Sequence, residues 1–240
     1  MDSILTYKGA TVKLVFVHDA GSSSLAFYYQ LRHFRNSKAI DLPGHPTGKP
    51  CASVDGYVEW VRGFNTARRY KDVVLCGHSM GGAIAMQYAL RYPDELKGII
   101  LIGTGALLRV NPDYLQICES PGLADTEWLD WETSNFKSVE PDIHQVLVQR
   151  AEEIGPEVQL NHLMACNQFD VMEEVHNIRI PTRIVCGSQD IMTPVKYSDY
   201  LADRITGSKE DVVSDATHYV QLDKYHEVNQ KIEEFMTSLK

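Results

Sequence analysis

The chain has 240 residues, a formal net charge of −9, 44% hydrophobic residues and 23% charged residues. That length suits one domain with an elaborated core or a core carrying a small insertion, and the balance is that of an ordinary globular protein. The negative charge argues against a nucleic-acid partner, because phosphate binding needs clustered Lys and Arg. The one tight basic group, Arg68-Arg69 with Lys71, falls at a predicted helix end, where cations complement the helix dipole. Cys51, Cys76, Cys118, Cys166 and Cys186 show no paired spacing. An odd count without a framework points to a reducing compartment, and a cytoplasmic location is expected. No basic region followed by a long apolar stretch opens the chain, and no run approaches a membrane span.

In chain order, Ile4-Leu5-Thr6-Tyr7 reads as a short edge strand and Val12–Val17 as a strand buried on both faces. The serines of His18-Asp19-Ala20-Gly21-Ser22-Ser23-Ser24 cap a predicted helix over Leu25–Phe34. Lys38–Leu42 is the next strand, and it stops at a Pro- and Gly-rich loop, Pro43–Pro50. Ser53 caps a helix whose apolar face is Val54, Tyr57, Val58, Val61 and Phe64. Asp72–Cys76 is a strand, and Ala83–Leu90 is a helix that stops at Pro93. Leu96–Ile102 is another buried strand. This alternation predicts an α/β protein with a mostly parallel sheet and helices on both faces.

The rhythm then breaks. No strand is predicted from about Leu107 to about Asn177. Helical stretches are expected over Pro112–Cys118, Ala124–Phe136, Pro141–Ile154 and Glu157–Met172, with Pro121-Gly122 and Gly155-Pro156 as breaks. Alternation resumes with a strand at Pro181–Cys186, a helix over Val195–Ile205, a strand at Asp211–Ser214 and a last helix over Tyr225–Leu239. The expected division is a core of residues 1–106 and 178–240, with an all-helical insertion at 107–177.

Between the third strand and its helix stands Gly77-His78-Ser79-Met80-Gly81-Gly82. A Gly-x-Ser-x-Gly turn from strand to helix is the context in which a serine hydroxyl is presented as a nucleophile. A serine needs a base, and the base needs an orienter. In a parallel sheet such groups gather at the carboxyl ends of strands, and three predicted strand ends supply Ser79, Asp190 and His218. Asp215 and Asp223 flank His218 and are rival orienters, whereas Thr104 leaves no carboxylate at the end of the fourth strand. His78 reads as a packed residue of the turn, and His45 as part of its loop. No Cys or His spacing suits a metal, and no Gly-x-Gly-x-x-Gly follows the first strand, so no cofactor is expected.

Val17–Gly21, Asp41-Leu42-Pro43-Gly44-His45, Gly77–Gly82, Gly187-Ser188-Gln189-Asp190 with Pro194, and Thr217-His218 together resemble the α/β-hydrolase superfamily. The type is a serine esterase or lipase with a helical cap. The resemblance implies that Ser79 attacks a carbonyl carbon, His218 moves the proton and Asp190 holds the imidazole. It also implies that the backbone N–H groups of Met80 and Ala20 form an oxyanion hole, such donors being worth on the order of 3 kcal/mol each in the transition state. One departure stands out. The family has His-Gly where this chain has His18-Asp19. The carboxylate is expected either to face solvent or to hydrogen-bond the loop.

The insertion is expected to set specificity by roofing the strand ends. His18, Leu163, Met164, Phe169, Met172 and Tyr219 are the candidate pocket residues; the alternatives are that Leu163, Met164, Phe169 and Met172 pack the cap on the core and that His18 braces the oxyanion loop, and Trp128 and Trp131 are candidates for cap core or pocket wall. No Arg or Lys stands out as an anion anchor. The leading expectation is an esterase acting on a small, short-to-medium acyl ester. A C–C bond hydrolase on the same scaffold and a receptor-like homologue with little turnover are the alternatives. The expected partner is the small-molecule substrate, without nucleic acid or membrane insertion. Monomer and homodimer are both open.

Overall fold

The computed structural model describes residues 12–44, 48–119, 128–131, 133–134, 136 and 139–239. The edge strand expected at residues 4–7, and His45, lie outside them.

Six strands form one sheet: β1 (Lys13–Val17), β2 (Ser37–Ile40), β3 (Val73–His78), β4 (Leu96–Ile102), β5 (Thr182–Gly187) and β6 (Lys209–Val213). Their order is β2-β1-β3-β4-β5-β6, and every neighbouring pair is parallel. All six residues of β3 and of β5 are buried. Because side chains alternate along a strand, one run feeds two layers. Val15, Val17, Leu75, Ile99 and Leu101 face one core. There they meet helices α2 (Val54–Ala67) and α3 (Met80–Arg91). Leu14, Phe16, Val74, Cys76, Ile100 and Ile102 face the other. The layer opposite is Val228, Ile232, Phe235 and Met236 of the C-terminal helix, Tyr225–Ser238.

Local signals fix several boundaries. Ser53 Oγ accepts from the Gly56 amide and caps α2. Ser23 Oγ accepts from Leu25, but the chain first makes a 3-10 turn at Ser24–Phe27 before α1 (Tyr28–His33). Helix α4 is Pro112–Glu119. The two expected helices after Pro141 form one run, α5 (Pro141–Asn167), broken inside at Gly155, whose φ of 78° is not helical. Helix α6 is Val195–Arg204, α7 is Val220–Asp223 and α8 is Tyr225–Ser238. The four residues of α7 are too few to show a period and were not expected.

Between β4 and β5 the described residues are helical apart from turns and a single antiparallel bridge, Leu107 to Asp170. Alongside that bridge, Val171 donates to the Ala106 carbonyl at 2.8 Å. The segment therefore leaves and rejoins the core at one place, and α5 lies back over the carboxyl ends of the strands. No described helix is long and apolar enough to cross a membrane.

Candidate active site

Strand β3 ends at His78 and α3 begins at Met80, which leaves Ser79 alone in the turn at φ 51°, ψ −114°. Backbone crowding explains the flanking glycines. A Cβ at Gly77 would sit 2.0 Å from the Gly81 carbonyl oxygen, and one at Gly81 would sit 2.1 Å from that of Val17. The strained conformation is held from both sides. Ser79 N–H donates to Ile102 at 2.9 Å. Its carbonyl accepts from Gly82, Ala83 and the Thr104 hydroxyl. Thr104 therefore supports the turn from the end of β4.

Asp190 sits on the turn after β5, 5% exposed. Its Oδ1 accepts from the Met192 and Thr193 amides, each at 2.9 Å. Its Oδ2 accepts from Thr193 Oγ1 at 2.8 Å and from His218 Nδ1 at 2.8 Å. With Nδ1–H directed at the carboxylate, Nε2 is left as the basic nitrogen. Burial works against a charged imidazole at His218. The charge and hydrogen bond of Asp190 outweigh it, helped by Asp19 and Asp223, and the His218 pKa is raised above its ordinary value. Burial likewise opposes ionisation of Asp190, but His218 and Thr193 hold its pKa below the usual carboxylate value.

The rival carboxylates are engaged elsewhere. Asp223 accepts from the Thr217 amide and hydroxyl. Asp215 accepts from Gln189.

Asp19 does not face solvent. It is 3% exposed, and its Oδ2 accepts from the Tyr219 hydroxyl at 2.5 Å. Its Oδ1 is 3.3 Å from His78 Nδ1, close enough for attraction but not aligned as a hydrogen bond. Burial would favour the neutral acid, yet His78, Tyr219 and His18 hold the Asp19 pKa well below the usual range. His78 in turn donates from Nε2 to the His218 carbonyl at 2.9 Å. The carboxylate that breaks the family pattern thus links the turn after β1, the Ser79 turn and the His218 segment.

Ser79, His218, Asp19, Ala20 and Tyr219 line one cavity of about 380 Å³. Leu163, Trp131, Gln159 and Cys166 cover it from the helical segment, and Ile191, 82% exposed, stands at its rim. Arg109 also lines it; it stands in a stretch without periodicity, so no pattern in the sequence singles it out.

Of the expected pocket residues, Leu163 and Tyr219 are in this lining. His18 is fully buried behind it: Nδ1 donates to the Asp19 carbonyl at 2.8 Å, and Nε2 accepts from the Leu42 amide at 3.1 Å. Phe169 is packed in the core shared with α3, and Met164 is 40% exposed. Both lie outside the lining. Met172 lines a second, smaller cavity with Lys196, Tyr197 and Tyr200. For Phe169 and Met172 the cause is shared: α5 ends at Asn167, so residues 168–172 do not continue its face; Met164 is still on the helix and points outward. Trp128 is buried and donates from Nε1 to Gln159 Oε1 at 2.6 Å, whereas Trp131 is on the cavity wall.

A parallel α/β sheet with a strained serine, a buried His–Asp pair and a roofed cavity at its strand ends defines a class of hydrolases. Residues 14–231 match the model of the alpha/beta hydrolase family, and the chain belongs to it. It is 25% identical over 201 residues to a pimeloyl-[acyl-carrier protein] methyl ester esterase of Neisseria meningitidis serogroup B, covering 75% of this chain and 74% of that one. It is 23% identical over 235 residues to 3-oxoadipate enol-lactonase 2 of Acinetobacter baylyi, covering 93% and 88%. Among solved structures, a thermophilic esterase superposes with a TM-score of 0.79 at 29% identity, covering 96% of this chain and 92% of the other.

Proposed function

We propose that the protein hydrolyses carboxylic esters of small, short-to-medium-chain acids through an acyl-enzyme on Ser79. The observation that carries this reading is the 2.8 Å bond to a fully engaged Asp190 from Nδ1 of His218, which lines the same cavity as the strained Ser79.

In the reaction, His218 Nε2 takes the Ser79 proton as Oγ bonds to the carbonyl carbon. The carbonyl oxygen becomes an oxyanion that accepts from the Met80 and Ala20 amides. Met80 is the first residue of α3, so the positive end of that helix adds to the effect. Collapse breaks the C–O bond, and His218 gives its proton to the departing alkoxide. A water, deprotonated by His218, then releases the acid and restores Ser79.

The cavity volume is in the range of small-molecule sites. The named activities of the two curated relatives support an ester bond, open or cyclic. The segment between β4 and β5 serves as the cap that covers it.

The test is a graded series of p-nitrophenyl esters, with fluorophosphonate labelling mapped by mass spectrometry. Label on Ser79, and a fall of about 10⁴-fold or more in kcat for Ser79→Ala, are expected. Folded protein that neither turns over any ester nor takes the label at Ser79 would sink the proposal.

A further inference from the structure

The loop that offers the Ala20 amide is held by two histidines, and one of them comes from the helical segment. The peptide group is planar and trans, so its C=O and N–H point in opposite directions. His18 Nδ1 donates to the Asp19 carbonyl at 2.8 Å. That bond fixes the plane that also contains the Ala20 N–H and sets its aim. The next plane, Ala20 to Gly21, is fixed by a different residue: the Gly21 N–H donates to His162 Nδ1 at 3.1 Å. Successive planes are thus gripped by two buried imidazoles, and the backbone between them has little freedom to turn.

The contact with α5 is close. Gly21 has φ +70°, and a Cβ there would lie 2.6 Å from Gln159 Cδ, one turn before His162 on the helix. His162 is fully buried, with the Tyr57 ring edge-on at 5.2 Å and the His18 ring at 6.4 Å. To accept at Nδ1 it must be unprotonated there. Burial, aided by His18 and opposed by Asp19, pulls its pKa down to about 3 and keeps the acceptor available.

We propose that His162 is a positioning residue: from helix α5 it holds the Ala20–Gly21 peptide so that the Ala20 N–H faces the oxyanion. The inference rests on the reading of Ser79 as nucleophile. It adds that the cap segment helps to assemble the oxyanion hole as well as covering the substrate.

The experiment compares His162→Leu and His162→Asn with wild type on one short-chain p-nitrophenyl ester, with kcat taken per fluorophosphonate-titrated site. Inhibition by a trifluoromethyl ketone, whose serine adduct carries an oxyanion, is measured in parallel. The Asn carbonyl stands near the place of Nδ1 and can accept from Gly21; Leu cannot. H162L is expected to lose about 10- to 100-fold in kcat and in ketone affinity, with KM changed less than about threefold, because a misaimed donor acts on the transition state. H162N is expected to recover most of both.

A folded H162L with wild-type kcat and ketone affinity overturns the inference alone. So does a H162N that melts like wild type yet loses more than about tenfold in kcat, and this variant decides the matter if H162L does not fold. A wild-type protein that turns over no ester overturns the functional reading, and the inference with it.

Discussion

In the proposed reaction Ser79 and His218 carry the chemistry, and their local energetics are open to measurement. The Ser79 backbone is in a region that side chains avoid, held by bonds from three directions. His218 must be neutral to accept a proton, and its pKa is raised above 6.5 once the Asp190 charge overcomes burial. The kcat/KM profile should therefore fall on the acid side with an apparent pKa above that value. Asp190→Asn removes the charge, so the limb should move to lower pH while kcat falls by about 10⁴-fold. A limb that stays in place in a pH–rate series would separate it from His218.

Asp19 gives the opposite sign. Its folded pKa is depressed below 3.8, so its contribution to stability is present above that value and is lost as pH falls through the folded pKa. Asp19→Asn should lower Tm at pH 7 and have a smaller effect near pH 3, as read by thermal melts at both.

At the scale of elements, helix ends and breaks carry the testable content. Ser53→Ala should cost about 1 kcal/mol by removing the α2 cap. In a chain of this size that is a fall of about 2–4 °C in Tm. Gly155 breaks α5 with φ +78° and has open space where a Cβ would go. Gly155→Ala should therefore cost about 1–3 kcal/mol from backbone strain alone, with no clash to relieve. The break comes about two turns before His162 on the same helix, outside the bond from Gly21 to His162. Ester turnover per titrated site is expected to stay within about twofold of wild type, since no donor to the oxyanion is touched.

At the scale of the molecule, the described residues form one parallel sheet between two apolar layers. No covalent cross-link contributes. All five cysteines are free, and four of them are buried. Burial pushes the thiols of Cys76 and Cys166 upward, Cys166 to about 12. Such thiols are poor nucleophiles. Dithiothreitol should therefore leave Tm unchanged in differential scanning fluorimetry. A reductant-dependent fall would reveal an oxidised form different from this one.

The sequence alone determined what depends on neighbours along the chain. Apolar runs of strand length, alternating with amphipathic helices, specify a parallel sheet covered on both faces. The signals at Ser53, Pro93 and Gly155-Pro156 are local and fell at real caps and breaks. Gly77 and Gly81 were legible because the turn tolerates nothing larger.

What required tertiary structure is what depends on distance between segments far apart in sequence. Three carboxylates competed for His218, and only the fold decided that Asp190 faces Nδ1 while Asp223 turns to Thr217. The direction of Asp19 was undecidable for the same reason: its partner Tyr219 is 200 residues away. The cavity wall depends on where α5 ends and how it lies, and composition could not separate Leu163, which faces the cavity, from Met164 beside it. Periodicity records which side of an element is buried, but not against what. The bond from Gly21 to His162, 141 residues apart, therefore has no trace in the sequence.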